Sequence, residues 1–513
     1  MLIKTYSCAL MGVNAVPVTI EVNIGPGISF FLVGLADSAI KESQQRIDTA
    51  LKNNGYKMPG KKIVINMAPA DIRKEGSAYD LNLAIAILIA SEQIKGHERV
   101  GDYYIMGELS LDGHLQPIRG VLPIAIEARK RGMKGIILPA QNAREAAIVG
   151  DIEVLGAENI KQVIDFFDKG TPLPRTTVNT REEFQRSLCN YEFDFTDVKG
   201  QQNIKRAMEI AAAGGHNLIL IGPPGSGKSM LAKRLPSILP PLTLFEALET
   251  TKIHSVAGKM SRYSSLIAVR PFRAPHHTIS DVALVGGGSN PQPGEISLAH
   301  NGVLFLDELT EYKRQTLEVM RQPLEDRYVT VCRSKYSVTF PASFMFVAAM
   351  NPCPCGNYNH PKLPCTCGQG VVQKYLNKIS GPLMDRIDLH VEVLPLSTEE
   401  LTTAPPGEPS AVIRERVVQA RKIQEIRYKN YPDIHCNAQI NTKLLRQYCE
   451  VDADGLELLK NTMDRLGLSA RAYDRILKVA RTIADLAGAE YIDNEHLSEA
   501  INFRSLDRDN WGK

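Results

Sequence analysis

The chain carries two kinds of hydrophobic pattern. Short unbroken apolar runs at 218–221, 303–306 and 343–350, each bounded by glycine or polar residues, read as buried strands. Nearer the start, VPVTIEV (16–22) and KIVI (62–65) also read as strands. Pro17 puts the first at a sheet edge, because proline cannot donate to a ladder. Helical spacing covers 38–51, 80–94, 201–212 and 314–326, with Asp197 placed to cap the third, and 328–340 reads as a hairpin. After the Pro/Gly-rich TTAPPGEPS (402–410) the pattern is helical: 411–429, 443–450, 455–466, 470–486 and 494–501, the last capped by Asp493 or Asn494. The expectation is a multidomain α/β chain.

The first strand leads into chemistry. Directly after Ile221 stand Gly222, Pro223, Pro224, Gly225, Ser226, Gly227, Lys228 and Ser229, a match to G-x-x-x-x-G-K-[ST] between a strand and a helix. Glycines let the backbone fold into a cradle of amide donors for polyphosphate. Lys228 adds a charge for the β- and γ-phosphates of ATP, and Ser229 offers a hydroxyl to Mg²⁺. The second strand ends in Asp307 and Glu308, as a Walker B strand does. Asp307 would orient Mg²⁺ together with Ser229, and Glu308 would polarise the attacking water. In isolation such a strand could equally be a buried strand with a solvated acidic end.

Composition adds limits rather than direction. At 513 residues the chain is too long for one core, and 44% hydrophobic with 23% charged residues is ordinary for globular protein. A net charge of +3 is too mild to argue for nucleic acid by itself. The first residues, MLIKTYSCAL, resemble no secretory signal, and the run 83–90 is far too short to span a bilayer, so a cytoplasmic protein without a membrane partner is expected. Nine cysteines, four of them clustered, fit reduced thiols better than a disulfide framework.

VGLADSAIKES, NMAPADIRKEGSAYDL and GELSLDGHLQPIRGVLP resemble the first domain of the YifB/ComM family, Mg-chelatase-like AAA+ proteins whose first domain has the Lon-protease fold. The resemblance implies a Lon-like α+β domain over 1–170, a linker over 171–192, a P-loop AAA+ core over 193–400 and a helical lid over 401–513. Setting Lys74-Glu75-Gly76 and Gly107-Glu108 on the Lon segments puts Ala78 and Leu122 at the dyad positions, and neither can act as nucleophile or base. Ser77 is one position out. The domain is therefore expected to be a scaffold or contact surface and not an active protease.

The same resemblance assigns further residues. Gln201 belongs to a segment like the one flanking adenine in AAA+ modules. RPFRAPHHTISDVALVGGGSNPQPGEISLAHNG (270–302) resembles the corresponding segment of the family, its part Pro293 to Gly302 matching the place where the Mg-chelatase branch inserts a hairpin into a helix, and Gly286 to Gly288 suit a mobile loop facing a ring's channel. His276 and His277 are not expected to pair on a metal, because neighbours on an extended segment face opposite ways. Asn351 stands as sensor 1, Arg386 as the arginine finger, and Arg471 as the sensor 2 arginine, with Arg475 its rival one turn on. A finger acts on a neighbouring subunit, which implies a homo-oligomer, in this family a hexamer. Arg386 could instead serve an ion pair with Asp385 or Asp388. Arg333 and Lys335, at the hairpin tip, are candidates for a nucleic-acid backbone or simply solvated.

Cys353, Cys355, Cys365 and Cys367 are spaced C-x-C-x₉-C-x-C. Four thiolates suffice for tetrahedral Zn²⁺, although the usual spacing is C-x₂₋₄-C; reduced thiols or a redox-sensitive pair are the alternatives.

Residue chemistry alone leads to ATP-driven remodelling of a macromolecule. The resemblance implies a DNA translocase or helicase promoting branch migration in recombination or natural transformation, with single-stranded or branched DNA as partner. An ATP-driven protein remodeller and a magnesium-chelatase-type subunit are the rivals. The Lon-like domain argues against the chelatase, and glycine-rich or basic loops in place of an aromatic pore loop argue against the unfoldase.

Overall fold

The computed structural model describes residues 1–188, 191–260, 265–288, 291–333, 336–368, 370–396, 405–466 and 468–504. Two units result, one of 1–187 with 244–268, the other of 188–243 with the chain from 269 onward. The span 193–400 expected as ATPase core thus lends Leu244–Val256 and the residues after it to the first unit.

The first unit is a seven-stranded mixed sheet in the order Ser29–Val33, Lys62–Ala68, Asn14–Gly25, Leu2–Met11, Tyr103–Ile105, Gly135–Pro139, Glu153–Ala157. Every residue of the helix Asp80–Ala90 is buried, and it packs on Leu2–Met11 and Asn14–Gly25. Its polar members are satisfied: Asn82 donates to Tyr6 and Ile105 carbonyls at 2.8 and 3.1 Å, and Asp80 takes Arg46 at 2.7 Å. The helix stops short of residue 94 because Glu92 turns to φ +61°. Asn14–Gly25 is an interior strand, not an edge. Pro17 is tolerated because it pairs only with Cys8, while Lys62–Ala68 begins its pairing at Thr19. The helix expected over 38–51 breaks at Glu42, where Ser43 Oγ takes the Ile40 carbonyl at 2.5 Å.

The second unit is built on a fully parallel five-stranded sheet ordered Phe272–Arg273, Val303–Leu306, Met345–Met350, Leu218–Ile221, Leu389–Glu392. Such a sheet needs cover on both faces, hence its unbroken apolar strands. Its core runs from Leu218, Val303 and Val347 without interruption into Ile413, Val417, Ile476 and Leu497 of the C-terminal helices. The C-terminal helices are Ser410–Arg427, Thr442–Tyr448, Ala453–Leu466, Ala470–Leu486 and Asn494–Asn502, the last capped by Asp493. A hairpin, Gly286–Gly287 with Gln292–Pro293, stands between the short helices Asp281–Val285 and Glu295–Leu298, and so precedes the stretch 293–302 where the resemblance placed it. Pro323 lacks the N–H that would bond Val319, so 314–326 splits into Arg314–Glu318 and Arg321–Asp326. The basic hairpin is Tyr328–Arg333 with Tyr336–Pro341; Lys335 lies outside the described residues.

No helix of the described residues is long and apolar enough to cross a membrane.

Candidate nucleotide site

Parallel register sets the site. Ile221 pairs with Met350 and Leu306 with Ala348, so Gly222, Asp307 and Asn351 emerge together at the carboxyl edge of the sheet. Gly222 N–H donates to the Met350 carbonyl at 3.2 Å, and Gly225 and Gly227 take φ of +78° and +89°, values that a side chain would strain. The helix Lys228–Arg234 starts directly after them.

Within this loop Lys228 Nζ donates to the Gly222 and Pro223 carbonyls at 2.7 and 2.9 Å and lies 3.3 Å from Asn351 Oδ1. Burial pushes its ammonium down, opposed by Asp307 and Glu308. Ser229 Oγ donates to Asp307 Oδ2 at 2.6 Å. A hydroxyl and a carboxylate that meet in this way suit Mg²⁺, a hard cation taking oxygen ligands. The Gln201 amide reaches the Ser226 carbonyl at 3.2 Å, which ties the segment expected to flank adenine to the phosphate loop. Gln201 itself starts the helix Gln202–Gly214 at φ +52°, and Asp197, expected as its cap, instead pairs with Arg234 at 2.8 Å.

Glu308 sits at φ +50° and its side chain is more than half exposed, with His277 Nδ1 3.6 Å away. It faces a cavity of about 400 Å³ lined also by Asn351, Pro354, Lys374, Tyr375 and Lys378. His277 was not foreseen. The two histidine rings lie 4.0 Å apart, tilted by 35°, instead of diverging, because a turn closed by Ile279 N–H on the His276 carbonyl bends the segment.

The arginines form a second cluster. Arg386, Arg471, Arg475, Lys478 and Asp385 line a cavity of about 150 Å³ that no phosphate-loop residue borders. Arg386 pairs with Glu325 in its own chain, not with Asp385 or Asp388, and its Nε has no hydrogen-bond partner among the described residues. Asp385 takes Arg471 at 3.1 Å, and Asp388 takes Arg475 at 2.8 Å. Arg471, 66% exposed, is the freer of the two rivals, Arg475 being 24% exposed and held on buried Asp388. Burial pushes the Asp388 carboxyl up, but Arg475, His216 and the Asn217 amide outweigh it and hold the group well below the ordinary carboxylate range. Burial, helped by Arg475 and Arg327 and opposed by Asp388 and Asp474, brings Lys478 down to about 8.

Ala78 and Leu122, the residues expected at the dyad positions, lie in the first unit. Leu122 is buried with its N–H on Glu145 at 3.1 Å, Ser77 Oγ donates to Glu108, and Lys74 Nζ donates to the Gly34 and Pro69 carbonyls.

A phosphate-loop unit with a helical C-terminal region is the class that this fold and site define. Models for magnesium chelatase subunit ChlI match residues 194–401, for subunit ChlI of Mg-chelatase residues 20–142, and for the ChlI C-terminal region residues 407–504. The chain is 44% identical over 505 residues to uncharacterized protein YifB of Escherichia coli and to competence protein ComM of Haemophilus influenzae, covering 98% of this chain and 97% of each relative. Magnesium-chelatase subunit ChlI of Guillardia theta is 21% identical over 322 residues, 55% of this chain and 81% of that protein. The chain belongs to the YifB/ComM family of Mg-chelatase-like AAA+ proteins. The match of a Mg-chelatase model to 20–142 removes the first domain as an argument against a chelatase.

Proposed function

We propose that this chain is an ATP-hydrolysing AAA+ motor that works as a ring of its own copies, most simply a hexamer in the cytoplasm, and drives branch migration of DNA in recombination or natural transformation. The observation that carries the ATPase reading is the meeting of Ser229 with Asp307 at 2.6 Å beside Lys228 and Asn351. Ser229 and Asp307 would hold Mg²⁺, which would neutralise charge on the phosphates. Lys228 leaves its two carbonyls for the β- and γ-phosphates, Asn351 holds the attacking water or the γ-phosphate, and Glu308 orients that water. Glu308 has to leave His277 to do so. Arg386 acts on the neighbouring subunit's nucleotide, and Arg471, which lines the same cavity, reaches a γ-phosphate from the C-terminal helices. The first unit serves as a scaffold or contact surface without peptidase activity.

The DNA role rests on likeness to ComM along 98% of the chain, against 55% at lower identity for the chelatase subunit. ATP turnover measured with single-stranded, duplex and branched DNA, unfolded protein, and magnesium with a porphyrin tests it. Stimulation by branched or single-stranded DNA is expected. Indifference to every DNA, with a response to protein or porphyrin, would replace the DNA reading by the corresponding rival.

A further inference from the structure

Two residues after Asn351 the chain passes through Cys353 and Cys355, and it returns through Cys365 and Cys367 before the helix Val371–Leu376. The four thiols converge. Cys353 and Cys355 sulfurs lie 3.3 Å apart, Cys353 and Cys365 3.7 Å, Cys355 and Cys365 3.5 Å, and all four fall within 4.8 Å of one another. Zinc–thiolate bonds of about 2.3 Å put tetrahedral sulfurs about 3.8 Å apart, whereas a disulfide brings two to about 2.05 Å. The observed separations belong to the first arrangement. Four sulfur donors also exclude Mg²⁺ and Ca²⁺ as the fitting ion.

Backbone groups of the loop bond these sulfurs. Tyr358 N–H donates to Cys353 Sγ at 3.3 Å, and backbone groups of Asn357 and Thr366 bond Cys355. Gly356 makes the turn at φ +81° that brings these amides round. That glycine also lies on the phosphate loop: a Cβ there would stand 2.6 Å from Pro224 Cδ. Pro354 lines the cavity with Glu308 and Asn351, and Tyr375, on the helix that follows, accepts from Thr310 Oγ1 at 2.6 Å. The loop therefore touches the phosphate loop and follows directly on the Asn351 strand end, and the helix after it bonds the segment after Glu308.

We propose that Cys353, Cys355, Cys365 and Cys367 bind one Zn²⁺ ion, and that this clip holds Asn351 and the Pro224 face of the phosphate loop in place, so that nucleotide affinity depends on the metal. The coupling rests on the ATPase reading; the metal site does not.

Elemental analysis of the full-length chain purified from zinc-replete medium tests the site. One zinc per chain is expected, lost in the Cys365→Ser/Cys367→Ser variant, and cobalt loading should give the visible bands of a tetrahedral tetrathiolate. Wild-type chain without zinc, its four cysteines free or oxidised, overturns the site. For the coupling, a fluorescent ATP analogue is titrated into zinc-loaded chain, chelator-stripped chain and stripped chain given zinc again. Stripping should weaken binding about 10- to 100-fold, in the range of other metal-shell perturbations, and zinc should restore it. Gly356→Ala, which leaves all four thiols, should keep its zinc and still bind the analogue more weakly. Equal affinity in zinc-loaded and stripped chain overturns the coupling, and equal affinity in zinc-loaded Gly356→Ala and wild type overturns its route through Pro224. A zinc-loaded chain that binds no nucleotide overturns the ATPase reading while the zinc site stands.

Discussion

Each unit contains a buried lysine whose ammonium donates to two backbone carbonyls, Lys74 to Gly34 and Pro69, Lys228 to Gly222 and Pro223. Burial pushes both pKa values down. What differs is the company. Around Lys228 stand a carboxamide, a serine already on a carboxylate, and a glycine turn opening a helix. Near Lys74 the neighbouring serine, Ser77, is turned to Glu108, and Asp37 accepts from the Gly76 amide. Lys74 is a strut that ties two loops together; Lys228 rests on its own loop. A buried lysine becomes a site through the groups that converge on it, not through its burial.

That contrast can be broken or sharpened in steps of decreasing size. If the arginine cluster completes the second unit's site from a neighbour, Arg386→Ala should keep nucleotide binding and lose about 10³- to 10⁵-fold in turnover. Mixing it with Lys228→Ala chains should restore activity, and rates at the weighted mean of the two at every ratio would show the arginine to be structural. Glu308→Gln should bind ATP and lose about 10²- to 10⁴-fold in turnover; full turnover would remove Glu308 from the reaction.

Lys228→Met should lose nucleotide binding. Lys74→Met, by contrast, should leave ATP turnover unchanged and destabilise the first unit by about 1–3 kcal/mol, since two buried carbonyls lose their donor. Turnover lost in Lys74→Met protein that remains folded would break the comparison.

Asp388→Asn leaves Arg475 without its buried partner and should cost roughly 3 kcal/mol in urea unfolding at neutral pH. Because the folded Asp388 pKa is depressed, its stabilisation is present above the unfolded value near 4 and lost as pH falls below it. The variant should therefore show a shallower acid limb than wild type, and identical limbs would contradict the shift. The smallest effect belongs to Ser77→Ala, expected to change neither ATP turnover nor casein integrity; ATP-dependent casein degradation that vanishes in this variant would make the first unit a protease.

Much of this was legible because it is local. The phosphate loop is a turn whose glycines and lysine act over eight consecutive residues, and the strands on either side announce themselves by unbroken apolarity. Helix breaks were less visible. Ser43 competing for the Ile40 carbonyl and Pro323 missing its bond to Val319 interrupt stretches whose side-chain spacing stays helical. His277 was passed over because the adjacent histidines were read on an extended chain, and the turn that brings their rings together depends on a backbone bond with no marker in residue type.

By itself, then, the sequence determined the phosphate loop, the acidic strand end, the order of the elements and the family. Only the tertiary structure decided which charges meet: Arg386 with Glu325, 61 positions away, Arg471 with Asp385 across 86, and Arg475 with Asp388 across 87. It also placed Pro17 in an interior strand, sent Leu244–Val256 to the first unit and gathered four thiols into one cluster. The reason is common to all of these. Turn geometry and apolar period are set by neighbours along the chain, whereas sheet register and ion pairing depend on surfaces that exist only once the strands and helices have packed.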